Sequence, residues 1–217
     1  MKQEEVSKVI SILKKEYKNF KEPIVTEISM TGKPFLVLIS TVLSLRTKDE
    51  TTAKASYRLF DLADTPEKMV KLSLPRIEKA IYPVGFYKTK AKSIIEICKK
   101  LISEYNSEVP SDIDKLLEFK GVGRKTANLV MTLGFGKLGI CVDVHVHRIS
   151  NRLGYIKTKN PEETEFALRD KLPKIYWIVY NDLLVAYGQN LCTPVSPHCS
   201  KCKVRPYCRR VGVEKSR

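Results

Sequence analysis

Apolar residues recur at steps of three and four along almost the whole chain, and that spacing is the strongest constraint on its fold. In "TKAKSIIEICKKLISEY" (89–105) the stripe runs through Ile94, Ile95, Cys98, Leu101 and Ile102. In "KQEEVSKVISILKKEY" (2–17) it runs through Val6, Val9, Ile10, Leu13 and Tyr17. "IYWIVYNDLLVAYG" (175–188) is apolar nearly all round, which predicts a buried helix ending at Gly188. Start signals accompany these runs: Thr47 and Glu50 at capping-box spacing, Ser111 before "DIDKLLEF", and Asn160 before a Pro161 in the first helical position. The β-branched run within 35–43 could pass for a strand, but no segment with alternating polarity exists to pair with it. No hairpin signal and no internal repeat is present. The reading is all-α, about ten or eleven helices joined by short connections.

At 217 residues with 43% apolar content, the chain can form one large or two small cored domains. Its 39 basic residues outnumber 24 acidic ones, for a net charge of +15. A Lys/Glu-rich thermophile surface would carry acidic residues in step with basic ones, so the excess points to a polyanion, nucleic acid first. The longest apolar run, "PFLVLISTVLSL" (34–45), is too short and too interrupted to cross a membrane. Met1 leads into an amphipathic helix rather than a signal peptide, which points to the cytoplasm.

Three stretches carry chemistry. In "LLEFKGVGRKTANLVM" (116–131) a helix over 112–119, the turn "KGVG" and a second helix over 124–134 make a helix–hairpin–helix. Gly121 and Gly123 let the turn take φ > 0 and bring backbone N–H groups close to an anion. For the two glycines alone, an ordinary helix–helix turn with glycine as C-cap is the better account. The basic flank of Lys120, Arg124 and Lys125 brings the phosphate reading level with it. Lys125 falls in the first turn of the second helix, where the helix dipole disfavours a cation. The second stretch places Cys192, Cys199, Cys202 and Cys208 at C-x6-C-x2-C-x5-C spacing. Such thiols do not persist as disulfides in a cytosolic chain. A zinc ribbon uses two C-x2-C knuckles and this run has one, so the spacing favours a [4Fe–4S] cluster. Cys98 and Cys141, on apolar segments, read as core residues. In the third stretch, "CVDVHVHRISNR" (141–152), Asp143 on its own reads as a helix cap.

Taken together and in this order, "LLEFKGVGRKTANLVM", "VDVHVHRISNR" and the cysteine run resemble the endonuclease III family. The resemblance extends from "LISTVLSLRTKDE" through "GFYKTKA" to the cysteines, nearly the whole chain. It implies two helical domains flanking a DNA-binding cleft: a six-helix barrel over 28–137, and a cluster domain built from 1–27 and 138–217. It further implies a monomeric, nucleoid-associated enzyme of base excision repair, a DNA glycosylase and abasic-site lyase. Its partner would be double-stranded DNA carrying oxidised pyrimidines or abasic sites. By position, Lys125 becomes the nucleophile, Asp143 the carboxylate that stabilises developing positive charge, and the four cysteines the ligands of a [4Fe–4S] cluster. The misplacement of Lys125 then has a reason, because a helix start favours the neutral amine that attack requires.

Arg46 in "LSLRTKD" falls at the position that fills the gap left by an extruded nucleotide, and Phe86 in "GFYKTKA" at the intercalating wedge. The commoner bacterial residues there are Gln and Leu. Read without the resemblance, Phe86 is a buried aromatic at a helix start. Gly121, Gly123 and His145 join these as DNA-contacting candidates, with His145 and His147 read as positioning or helix-surface residues rather than metal ligands. Lys120 stands where the family usually has Pro. The loop "TPVSPH" lacks basic residues, so positive charge shifts to Lys201, Lys203, Arg205, Arg209 and Arg210. Three rivals remain: a mismatch glycosylase, which lacks the lysine; a non-catalytic hairpin module, which leaves the pairing of Lys125 with Asp143 unexplained; and an iron–sulfur redox sensor, for which no effector element is visible.

Overall fold

The computed structural model describes residues 3–20 and 22–217. Met1, Lys2 and Lys21, and with them the expectation about the start of the chain, lie outside the described residues. Among the described residues there are twelve α-helices and no strand. They divide into two compact units. One combines residues 1–23 with 140–217, and the other comprises 24–139, where the sequence reading drew its limits at 27/28 and 137/138.

The unit of residues 24–139 holds α2 (Ile24–Ser29), α3 (Pro34–Ser44), α4 (Asp49–Leu62), α5 (Pro66–Met69), α6 (Leu74–Ile81), α7 (Tyr87–Glu104), α8 (Ile113–Leu117) and α9 (Arg124–Leu129). A π-helical turn, Val130–Gly134, continues α9. The β-branched run is α3, buried from Phe35 to Leu43, with α2, α4, α7 and α9 packed against it. A helix that is apolar all round belongs at the centre of a unit. Its two buried hydroxyls stay within the helix: Ser40 and Thr41 both donate to the Val37 carbonyl, at 3.1 and 2.7 Å. In α7 the buried stripe is Ala91, Ile94, Ile97, Cys98 and Leu101, whereas Ile102 is 38% exposed.

The other unit holds α1 (Gln3–Tyr17), α10 (Val144–Arg152), α11 (Pro161–Lys171) and α12 (Trp177–Asn190). Val6, Val9, Ile10 and Leu13 of α1 join Val146 and Ile149 of α10 in one core with Tyr180, Leu184 and Tyr187 of α12. The buried polar groups of α12 are satisfied. Trp177 Nε1 donates to the Leu172 carbonyl at 2.8 Å, and the Tyr180 hydroxyl meets Ser150 Oγ at 3.1 Å.

Two capping expectations fail for tertiary reasons. Lys48, not Thr47, is the residue before α4, and Thr47 Oγ1 instead accepts from the Gly85 N–H at 3.1 Å. Asp112, not Ser111, caps α8, while Ser111 Oγ accepts from Lys137 Nζ at 2.8 Å. Asn160 caps α11 as expected, accepting from Glu163 N–H. Gly188 does not end α12, which continues to Asn190. A Cβ at Gly188 would lie 2.4 Å from His145 Nδ1, so the glycine makes room for α10.

Candidate functional site

In the unit of residues 24–139, the hairpin forms because Phe119 and Val122 are buried and pin the turn from inside, leaving its glycines outward. Only Gly121 takes the left-handed conformation, at φ +82°. Gly123 is extended (φ −100°, ψ −179°), contrary to the expectation for both glycines. A side chain at Gly123 would project into open space, so the backbone before α9 is open to a ligand. The first turn of α9 holds no acidic residue. It carries Arg124 and the partly buried Lys125, backed by buried Thr126, Ala127 and Asn128. Lys120 is spent on an exposed ion pair with Glu96 at 3.0 Å.

Elsewhere in this unit, Arg46 and Phe86 both take the left-handed conformation, φ 52° and 59°. The Arg46 guanidinium lies 5.7 Å from the Phe86 ring centroid. Phe86 is 63% exposed, which overturns its reading as a buried aromatic. Sequence reasoning missed Lys90 altogether. It is buried among backbone carbonyls, and burial pulls its amine down to about 8.

In the other unit, Asp143 stands immediately before α10. Its Oδ1 accepts from the N–H groups of His145 and Val146 at 2.8 and 2.9 Å. His145 is partly buried, with Nδ1 3.0 Å from Arg148 Nη2. His147 Nδ1 lies 2.7 Å from Thr164 Oγ1. The four cysteines line one apolar cavity together with Leu153 and Val204. Arg152, almost fully buried, reaches the cysteine loop: its guanidinium donates to Thr193 O at 2.7 Å and to Cys192 Sγ at 3.4 Å. Arg148 donates to Cys192 O at 2.9 Å. Tyr187 OH and the Arg210 N–H donate to Cys202 Sγ and Cys208 Sγ at 3.3 and 3.4 Å. Three of the four sulfurs therefore accept hydrogen bonds, the pattern that suits thiolates bound to a cationic group. Burial raises the free Cys202 and Cys208 thiols, so a bound cation would be needed to hold them ionised. Among the described residues, no group of three or more Cys, His, Asp or Glu takes up single-ion geometry.

Of the basic residues near the C-terminus, Lys203 pairs with Glu16 at 2.8 Å and Arg210 donates to Ser216 at 3.0 Å. The Arg209 side chain packs on Gly154. Cys98 and Cys141 are core residues, and burial pushes the Cys98 thiol up to about 12.

A family model described as HhH-GPD superfamily base excision DNA repair protein matches residues 39–174. Endonuclease III of Thermotoga maritima is 47% identical over 175 residues, covering 81% of this chain and 82% of that one. The chain belongs to the endonuclease III family. A non-covalent endonuclease III–DNA complex superposes with a TM-score of 0.86 at 33% identity, over 97% of this chain and 96% of that one. A trapped endonuclease III–DNA covalent intermediate gives 0.84 at 32% identity, over 97% of each chain. Membership makes the chain a base excision repair enzyme, a DNA glycosylase with abasic-site lyase activity. Among the described residues no helix is long and apolar enough to cross a membrane.

Proposed function

We propose that this chain removes oxidised pyrimidines from duplex DNA in the bacterial nucleoid, with Lys125 as nucleophile. The observation that carries the reading is the start of α9. There a lysine sits in a helical first turn that itself contains no Asp or Glu, directly after an open glycine turn. The Lys125 amine attacks C1′ of the extruded nucleotide as the bond from C1′ to the base breaks, and the base leaves with a proton. Opening of the sugar gives an imine between Lys125 and C1′. Loss of a C2′ proton then expels the 3′ phosphate, cutting the strand 3′ to the site. Asp143 stabilises the positive charge that develops on the sugar and helps deprotonate the amine. Gly121 and Gly123 offer backbone N–H groups to a phosphate, Arg46 fills the vacated space, and Phe86 wedges the stack. His145 positions the start of α10 beside its DNA contacts. The test uses the wild-type protein on duplexes carrying an oxidised pyrimidine or an abasic site, with borohydride present. Base release and a trapped adduct are expected, and neither on any lesion would leave a DNA-binding module.

Phosphate contact makes binding salt-dependent. If about four to six phosphates are engaged, log K falls with log salt at a slope of roughly −4 to −5 even on undamaged duplex. Gly123→Ala is the cleanest probe of the hairpin, since its backbone needs no left-handed conformation and the added methyl meets only open space. It should weaken binding to damaged and undamaged duplexes alike, by roughly tenfold, the scale of losing a hydrogen bond to a charged acceptor. A loss confined to lesion DNA would remove the hairpin from phosphate binding.

We infer that Cys192, Cys199, Cys202 and Cys208 hold a [4Fe–4S] cluster. The supporting features are an all-thiol donor set, an apolar cavity and hydrogen bonds to three sulfurs. When bound, the cluster supplies four iron–thiolate bonds that tie down a loop with little core of its own. Anaerobically prepared protein should contain about four iron atoms per chain. Cys199→Ser should lower that content and the melting temperature together. Stoichiometric zinc without iron would overturn the assignment.

A further inference from the structure

We propose that Lys90 is a positioning residue for lesion engagement, clamping the turn that carries Arg46 to the turn that carries Phe86 so that the pair meets DNA as one preformed unit. The inference rests on the roles proposed above for Arg46 and Phe86.

Lys90 is buried, with only 7% of the residue exposed. Its ammonium donates to the Leu43 carbonyl at 2.8 Å, to the Leu45 carbonyl, and to Thr47 Oγ1 at 3.2 Å. An ammonium has three donors, and all three are used here. Every acceptor lies within residues 43–47, so the charge grips the chain on both sides of Arg46. The other end of the clamp is covalent. Lys90 is four residues beyond Phe86, and its own N–H closes the first turn of α7 on the Phe86 carbonyl at 3.0 Å. Two further contacts lock the turns. Thr47 Oγ1 accepts from the Gly85 N–H at 3.1 Å, and a Cβ at Gly85 would lie only 2.6 Å from the Arg46 carbonyl oxygen. Only a glycine before Phe86 lets the two backbones come this close.

Packing alone does not call for a lysine. Leucine or methionine would fill the same volume without desolvating a charge. Left-handed backbone at Arg and Phe is uncommon, and it persists only where the surroundings over-determine it. Here it occurs in the turn that the ammonium grips and at the residue that leads into α7, the two residues whose side chains meet across 5.7 Å. A clamp that holds both turns before DNA arrives lowers the ordering cost of inserting two side chains into a duplex.

The test uses the full-length protein and a duplex with a stable abasic analogue opposite 2-aminopurine, whose fluorescence rises when it is unstacked. Arg46→Ala and Phe86→Ala establish whether the pair engages the lesion at all. Lys90→Met and Thr47→Val each break the clamp without touching either side chain. Both should reduce the fluorescence rise and lower the preference for lesion over undamaged duplex by roughly tenfold for Lys90→Met and less for Thr47→Val. Affinity for undamaged duplex should hold. If the clamp acts through the wedge, Lys90→Met combined with Phe86→Ala should lose no more lesion preference than Phe86→Ala alone, whereas a merely structural role gives additive losses. If Lys90→Met fails to fold, Thr47→Val with Phe86→Ala carries the same cycle. Additive losses, or an unchanged fluorescence rise in the folded clamp variants, would overturn the proposal for Lys90. An unchanged lesion preference in Arg46→Ala and Phe86→Ala would instead overturn the reading on which it rests.

Discussion

Lys125→Ala is expected to abolish the borohydride-trapped adduct and to slow strand cleavage by about 10⁴-fold or more, the scale of deleting a nucleophile. Fold should survive the change. Lys125 is only partly buried and lies in the first turn of α9, where alanine is a better helix former and the lost cation had opposed the helix dipole. DNA affinity should fall by no more than about threefold, since a single phosphate contact of the backbone kind is not removed with this side chain. Lys125→Arg separates charge from nucleophilicity. It keeps the cation and supplies no attacking amine at any accessible pH, so it should trap as little DNA as Lys125→Ala. Trapping that persists in both variants would assign the chemistry to another amine.

How much of this was readable from the sequence depended on whether the deciding contact was local. The helices were readable because periodicity is local, and α3 emerged as the central helix because a segment apolar on all faces has no solvent side. The C-x6-C-x2-C-x5-C run was readable because its spacing lies within one loop. Caps were not. Thr47 carries a correct capping-box pattern, yet its hydroxyl is taken by Gly85 and Lys90, 38 and 43 residues away. Lys90 looks like any lysine on an amphipathic helix, since nothing in "YKTKAKS" indicates that the end of α3 closes over it. Arg148 and Arg152 read as charge beside Asp143, but they brace the cysteine loop through contacts 44 and 41 residues away. Gly188 resembled a helix stop because glycine signals a stop and a close approach with the same letter, and only the position of His145 distinguishes them. At the hairpin, the two glycines look equivalent in sequence and differ in role: Gly121 supplies the left-handed turn and Gly123 the open approach.

Asp143→Asn is expected to slow base removal by roughly 10²-fold or more, the usual scale for losing an electrostatic or acid–base group. The substitution is informative because Asp143 also caps α10. Both capping bonds, from the His145 and Val146 N–H groups, end on the same Oδ1 oxygen. An asparagine carbonyl oxygen can accept both, and Asn caps helices about as well as Asp. What Asn removes is the negative charge, whose favourable interaction with the helix start amounts to about 0.3–1 kcal/mol. The melting temperature should therefore fall by no more than about 2–4 °C. Asp143→Ala removes charge and cap together and should destabilise by a further 0.5–2 kcal/mol or so. If the carboxylate serves only the helix, Asp143→Asn retains near wild-type rates and Asp143→Ala alone is impaired. If it serves the reaction, the two variants are equally slow in base release although Asp143→Asn melts well above Asp143→Ala, and DNA affinity is retained in both. Single-turnover base release, read beside thermal melts of the same preparations, separates the two cases, because a cap is measured in degrees and a catalytic charge in rate.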